Sequence, residues 1–177
     1  MQKTRFPAVI STFIVCYIFW LLLTWPFGAD GVAVQELVAG GVVSLAVALF
    51  SARFFIHEKS FWLFNPAKFF SLIAYAFGTF FSELIKANCD MAKRCYGGCK
   101  DVNPGIVKIP VDVESEYGQA MLANSITLTP GTITMDIAEE EGKTYYYVHW
   151  IDVKSTGEEA GEAIKGKLER GVRRVFR

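Results

Sequence analysis

Residues Phe6 to Phe27 read FPAVISTFIVCYIFWLLLTWPF, 22 consecutive positions without a charge. A helix rising about 1.5 Å per residue needs roughly 20 such positions to cross a hydrocarbon core of about 30 Å. The stretch is therefore expected to be a transmembrane helix. A cleaved signal peptide would start with the same cations, Lys3 and Arg5, but its apolar core runs only roughly 7 to 15 residues, and no small-x-small site follows Trp25-Pro26. Tyr17, Trp20 and Trp25 gather toward one end, where amphipathic rings favour the headgroup level.

Gly28–Gly31 (GADG) is short enough that the next apolar run, Val32 to Ala52, must return antiparallel to the first, making a helical hairpin. Ala39, Gly40, Gly41, Ser44 and Ala48 let a second helix approach closely, as association inside lipid requires. Glu36 lies one turn into this run, near a helix N-terminus and the headgroups, which favours a solvated carboxylate over a proton relay.

A third apolar stretch, Phe61 to Ile85, differs from both. Polar side chains recur at Lys68, Ser71, Tyr75, Thr79, Ser82 and Lys86, steps that trace one helical face, with Phe69, Ile73, Phe77, Phe80 and Leu84 opposite. Such a helix lies flat in the interface or spans with its polar stripe toward partners. With two spans, Lys3, Arg5, Arg53, Lys59, Lys68 and the polar C-terminal half share the cytoplasmic side, as the positive-inside rule asks. The expected organisation is thus a transmembrane hairpin plus an amphipathic membrane segment over 1–87, a Cys-containing connector over 88–105 and a cytoplasmic α+β domain over 106–177. Three spans is the alternative.

Charge distribution supports the division. Residues 1–85 hold five Lys or Arg and four Asp or Glu, whereas the remaining 92 hold 13 and 14. Neither half has the clustered cation excess a nucleic-acid binder needs. Four Cys in 177 residues are too few for a secreted disulfide scaffold.

In the polar half, Ile106–Val113 (IVKIPVDV) reads as a strand, placed on a sheet edge by Pro110. Ser115–Asn124 reads as a helix with Ser115 as its N-cap. Thr132–Ile137 and Thr144–Val153 flank the polar loop Glu139–Lys143 and form a hairpin. Ser155-Thr156-Gly157-Glu158 has capping-box spacing and opens a helix to about Phe176. Ala160, Ala163, Ile164, Leu168, Val172 and Val175 make its apolar stripe; acids crowd its start, and Arg170, Arg173, Arg174 and Arg177 its end, matching the macrodipole. Strand, helix, hairpin and helix make a small α+β sandwich.

Cys89, Cys95 and Cys99 suggest a metal site, with Gly97-Gly98 free to wrap an ion. A structural zinc or iron–sulfur site wants four ligands, usually with a tighter cysteine pair, and His57 and His149 are far away in sequence. No metal or cofactor is expected. His149 beside Trp150 lacks any nucleophile-elbow pattern, and no Gly-rich phosphate loop is present. Asn124–Thr132 (NSITLTPGT) is rich in turn formers, and Pro130-Gly131 suits a type II turn.

Phe81–Asn88 (FSELIKAN), Pro104–Val107 (PGIV), Leu122–Thr132 (LANSITLTPGT) and Val148–Asp152 (VHWID) together closely resemble the E subunit of the multisubunit sodium/proton antiporter, the Mrp or Mnh family. The resemblance covers nearly the whole chain. It implies an accessory subunit in the cell membrane, with a cytoplasmic C-terminal domain, that supports assembly and activity of a monovalent cation/proton antiporter. Similar subunits occur in membrane-bound hydrogenase and related respiratory complexes. The three-cysteine cluster departs from the family pattern and keeps a membrane-anchored thiol or metal protein as the alternative of another class. Expected partners are the other subunits and the lipid bilayer, with no nucleic acid. Candidate subunit contacts are Glu83, Lys86, Asn88, Asn124, Ser125, Thr127, Thr129, Pro130 and Gly131. Ion translocation needs several ionisable groups along a path, and Glu36 and Glu83 alone do not supply one.

Overall fold

The computed structural model describes residues 6–24, 27–28, 31–54, 65–98 and 102–176; Lys3, Arg5, Trp25, His57, Lys59 and Cys99 lie outside them. Contacts divide the chain into two compact units, Met1–Pro66 and Ala67–Arg177.

The first unit is a helical hairpin. α1 (Phe6–Thr24) leads into the two-residue strands β1 (Phe27–Gly28) and β2 (Gly31–Val32), which pair antiparallel and turn the chain into α2 (Val34–Phe54). Gly40, Ser44 and Ala48, one residue in every four, are buried on α2 and meet a helix whose own buried positions are Ala8 and Ser11. At Gly40 the approach is tightest: a Cβ there would lie 2.4 Å from Cδ1 of Trp20. The Trp20 indole N–H donates to the Glu36 carbonyl at 3.1 Å, and the Tyr17 hydroxyl donates to the Leu37 carbonyl at 3.3 Å. Of the five small residues expected at this contact, Ala39 is exposed and Gly41 faces open space, because only one row of a helix spaced by four can meet a neighbour. The outer sides stay apolar, with Phe19, Leu22, Leu23, Val38 and Val42 exposed. Two described helices are long and apolar enough to cross a membrane, Val34–Ser51 within α2 and Pro66–Tyr96, while α1 supplies a shorter apolar helix, Ala8–Thr24.

The second unit starts at Ala67, within α3 (Pro66–Ala74), which runs through one π-helical stretch, Tyr75–Phe80, straight into α4 (Phe81–Tyr96). β3 (Gly105–Val111), α5 (Glu116–Leu128), β4 (Thr132–Glu140), β5 (Lys143–Trp150) and α6 (Gly157–Phe176) follow. The strands form an antiparallel sheet of order β3-β5-β4, so Pro110 lies on an edge as expected. Ile109, Tyr146 and Ile137 stand in register across it. Val107, Ile109, Val111, Tyr146 and Val148 are buried on the face covered by α5 and α6, where the Tyr146 hydroxyl donates to the Gln119 carbonyl at 2.7 Å. The hairpin loop, expected over five residues, is only Glu141-Gly142, both at positive φ (52° and 73°), a turn whose twist matches the paired strands. Ser115 caps α5, its hydroxyl accepting from the Gly118 amide at 3.3 Å.

Two departures matter. α5 continues past the expected end at Asn124 to Leu128, so half of NSITLTPGT is helix rather than loop. The hydroxyls of Ser125 and Thr127 bond back to the Met121 and Ala123 carbonyls (2.8 and 2.9 Å), which lets these turn formers sit in a helix. In α6, Lys165 is buried where apolar positions were expected, and Ala163 is exposed. Lys165 is sheltered because its ammonium pairs with Glu169 one turn on, whose other oxygen accepts the Asp112 amide at 2.7 Å.

Candidate functional site

The inner face of the continuous helix lies along the α+β elements of its own unit, and most of the candidate contact residues meet there. Tyr75, 4% exposed, donates its hydroxyl to Ser125 Oγ at 2.7 Å. Gly171 of α6 lies beneath the same ring, and a Cβ there would stand 2.5 Å from Tyr75 Cδ2. Two turns on, Glu83 Oε1 accepts from Lys86 Nζ at 2.8 Å and from Lys167 Nζ of α6 at 3.1 Å. Met91 reaches Gly131, where an added Cβ would lie 3.4 Å from its methyl carbon. At the helix end Arg94 bonds Asp90 at 2.8 Å and Asp152 at 3.0 Å, and Lys154 reaches Asp152 at 3.1 Å. Lys154 first, then Arg94, hold the Asp152 carboxyl below the usual carboxylate range.

This inner row corrects the stripe expected from spacing. Lys68, Ser71, Tyr75 and Thr79 do turn inward or sit half-buried, but Ser82 and Lys86 are exposed, and Glu83 and Ala87 take their places. Phe80 and Leu84, expected on the apolar outer side, are half-buried, and Phe81 and Ile85 stand outside instead. The π stretch is the cause. Its wider turn takes up one extra residue, so every position after Phe80 is rotated by about one residue relative to an unbroken α-helix.

Between α4, the Thr129–Thr132 turn and α6 lies a cleft of about 270 Å³ bordered by Glu83, Ala87, Met91, Pro130, Gly131 and Ile164. Gly131 has φ +96° and the Thr132 amide bonds the Thr129 carbonyl at 3.4 Å, the type II geometry that Pro130-Gly131 suggested. Thr129 is buried, its hydroxyl donating to the Ile126 carbonyl at 2.7 Å. Asn88 is exposed midway along α4, its side-chain amide donating back to the Leu84 carbonyl one turn earlier at 2.8 Å. Asn124 and Thr127 are exposed on α5. Thus Lys86, Asn88, Asn124 and Thr127 present surface, Glu83, Pro130 and Gly131 border the cleft, and Ser125 and Thr129 are spent inside the chain. Sequence reading missed Tyr75, Gly171 and Lys167 as a set, because Gly171 and Lys167 belong to no motif and Lys167 meets Glu83 across 84 positions of chain.

Cys89 and Cys95 are exposed thiols on α4, and Cys99 lies outside the described residues. Among the described residues no group of three or more His, Cys, Asp or Glu is placed to hold a metal ion. His149 stands mid-sheet, in register with Ile106 and Ile133. The cysteine-based alternative gains no support from this geometry.

Comparison with known proteins gives one direction. A family model described as Na+/H+ ion antiporter subunit matches residues 13–175. The E1 subunit of the Na(+)/H(+) antiporter of Staphylococcus haemolyticus is 31% identical over 94% of this chain and 96% of its own length. The E subunit of the Bacillus subtilis Na(+)/H(+) antiporter is 28% identical over 89% of this chain and 94% of its own. A chain of the membrane-bound sulfane sulfur reductase, an archaeal respiratory membrane complex, is 38% identical and superposes with a TM-score of 0.75 over 96% of this chain and 99% of its own. With a helical hairpin, a three-stranded antiparallel sheet and this near-complete coverage, the chain belongs to the family of Na+/H+ antiporter E subunits.

Proposed function

We propose that this chain is an accessory membrane subunit of a multisubunit monovalent cation/proton antiporter module, supporting assembly and activity without forming the ion path alone. Family membership across residues 13–175 carries the reading. The placement of its acids agrees with it. Glu36 lies in the first turn of α2, and Glu83 is engaged by two lysines, so neither forms part of a chain of titratable groups through an apolar segment. The α1–α2 hairpin anchors the subunit, with its charged C-terminal domain on the cytoplasmic side. Lys86, Asn88, Asn124 and Thr127 provide its polar contacts to neighbouring subunits, and the Pro130-Gly131 turn holds their scaffold.

The 38% identity to a subunit of a respiratory membrane complex favours a second host, an antiporter-like module joined to a redox enzyme. Tagging the chain, extracting the membrane in mild detergent and identifying copurifying chains tests both. Antiporter subunits alone indicate the first host, and redox subunits alongside them the second. Recovery of the tagged chain by itself, stable in cells lacking its neighbours, would refute the accessory role.

A further inference from the structure

The continuous helix carries a second row opposite the one packed on its domain. Phe70, Ile73, Phe77, Phe81 and Ile85 are exposed at 69, 40, 74, 51 and 49%. No charge interrupts this side from Phe69 to Ser82, and Glu83 turns inward to Lys167. Because the π stretch shifts the register by one residue, the row stays straight for about 22 Å instead of winding around the helix. Aromatic side chains this exposed and contiguous exceed what a soluble surface tolerates, so something apolar covers them.

Three features select the cover. The inner row is fixed to the α+β elements from Tyr75 to Arg94, through Ser125, Gly171, Lys167, Gly131 and Asp152. A helix threaded across hydrocarbon would drag those elements and their ion pairs in with it, at a cost that buried charges in lipid do not recover. Beyond Ile85 the exposed side chains are mixed, with Lys86, Asn88, Asp90 and Lys93 alongside Cys89, Ala92, Cys95 and Tyr96, so charged groups border the helix surface there as they do not between Phe69 and Ser82. Lys86, paired with Glu83 but 61% exposed at the side chain, sets a cation beside the end of the apolar row at Ile85, a placement that suits anionic headgroups.

We propose that this face is a lipid-binding surface: the helix lies in the plane of the bilayer interface, its Phe70–Ile85 row sunk into the headgroup–acyl boundary, with its domain resting on the aqueous side. The third apolar segment is then a float and not a span. This holds for either host complex and does not depend on the antiporter reading.

Depth measurement on the full chain decides it. Cys16, Cys89, Cys95 and Cys99 are replaced by Ser, and Phe70→Cys, Phe77→Cys and Ile85→Cys are spin-labelled one at a time. The protein is placed in phosphatidylcholine–phosphatidylglycerol nanodiscs, and collision with oxygen is compared with collision with an aqueous nickel chelate. All three positions are exposed, so the substitutions leave the packing intact, and Asn124→Cys serves as the aqueous control. The expected result is one shared depth, roughly 5 to 10 Å below the headgroups, for all three labels. Depths spreading by about 22 Å from Phe70 to Ile85 would show a span and overturn the proposal. Labels open to the chelate would do the same, as would labels shielded from both reagents in the assembled complex, which would assign the face to a protein partner.

Discussion

The hydroxyl of Tyr75 donates to Ser125 Oγ at 2.7 Å across 50 positions of sequence, and the Ser125 hydroxyl in turn donates to the Met121 carbonyl at 2.8 Å. This short relay, with Gly171 beneath the ring, fixes the third apolar helix to α5 and α6 at once. Removing the donor and filling the space under it should therefore weaken the unit by different amounts. Tyr75→Phe keeps the ring and loses one bond, a cost of about 1 kcal/mol. Gly171→Ala places a methyl 2.5 Å from the ring and should cost more, about 1 to 3 kcal/mol. Thermal unfolding in detergent, followed by tryptophan fluorescence, ranks the two; equal midpoints would show that the close approach is unimportant.

Lys165 and Glu169 form an ion pair inside α6 with side chains only 8 and 13% exposed. Breaking it from one side strands a buried charge. Glu169→Ala also removes the acceptor of the Asp112 amide and should cost about 3 to 5 kcal/mol, whereas the paired change Lys165→Met with Glu169→Leu should recover the part due to the stranded lysine charge but not the part due to the lost amide bond. A double-mutant cycle read by thermal unfolding checks the coupling.

Acid should loosen the second unit where cations hold carboxyls ionised, Asp152 and Glu140 among them. Lys154 and Arg94 hold the Asp152 carboxyl below its ordinary range, and Lys108, then Tyr147, do the same for Glu140. A carboxyl whose folded pKa is depressed contributes stability above its unfolded value, about 4, and loses it as pH falls through the folded value. Asp152→Asn combined with Glu140→Gln should flatten the decline in melting temperature below about pH 4 while leaving its neutral-pH shape unchanged. An unchanged acid limb would refute the assignment.

In the hairpin, Gly40 admits the Trp20 indole, which reaches the Glu36 carbonyl. Gly40→Val should push the helices apart and lower the yield of chain recovered with its complex, and Trp20→Phe should have a smaller effect because only one hydrogen bond is lost. Copurification from the membrane fraction measures both.

Much of this was legible in the residues themselves. Uncharged length and a four-residue connection specify a hairpin, and Pro110, Ser115 and Pro130-Gly131 announce an edge strand, a cap and a turn through local stereochemistry alone. Each is a property of a few neighbouring residues, so a single sequence suffices. Family membership was readable for a related reason, since short runs such as LANSITLTPGT carry the resemblance by themselves.

Tertiary structure decided the rest. Spacing placed Ser82 and Lys86 beside Tyr75, but the π stretch rotated them away and brought in Glu83 and Ala87, because a helix adopts the turn that best satisfies its packing partner. Nor could hydropathy foresee a buried Lys165, whose partner Glu169 is one turn on in the same helix but is itself held by the Asp112 amide from across the fold. Local chemistry set which elements form; contacts between residues distant along the chain chose which face each one hides, since burial is a property of pairs and not of single side chains.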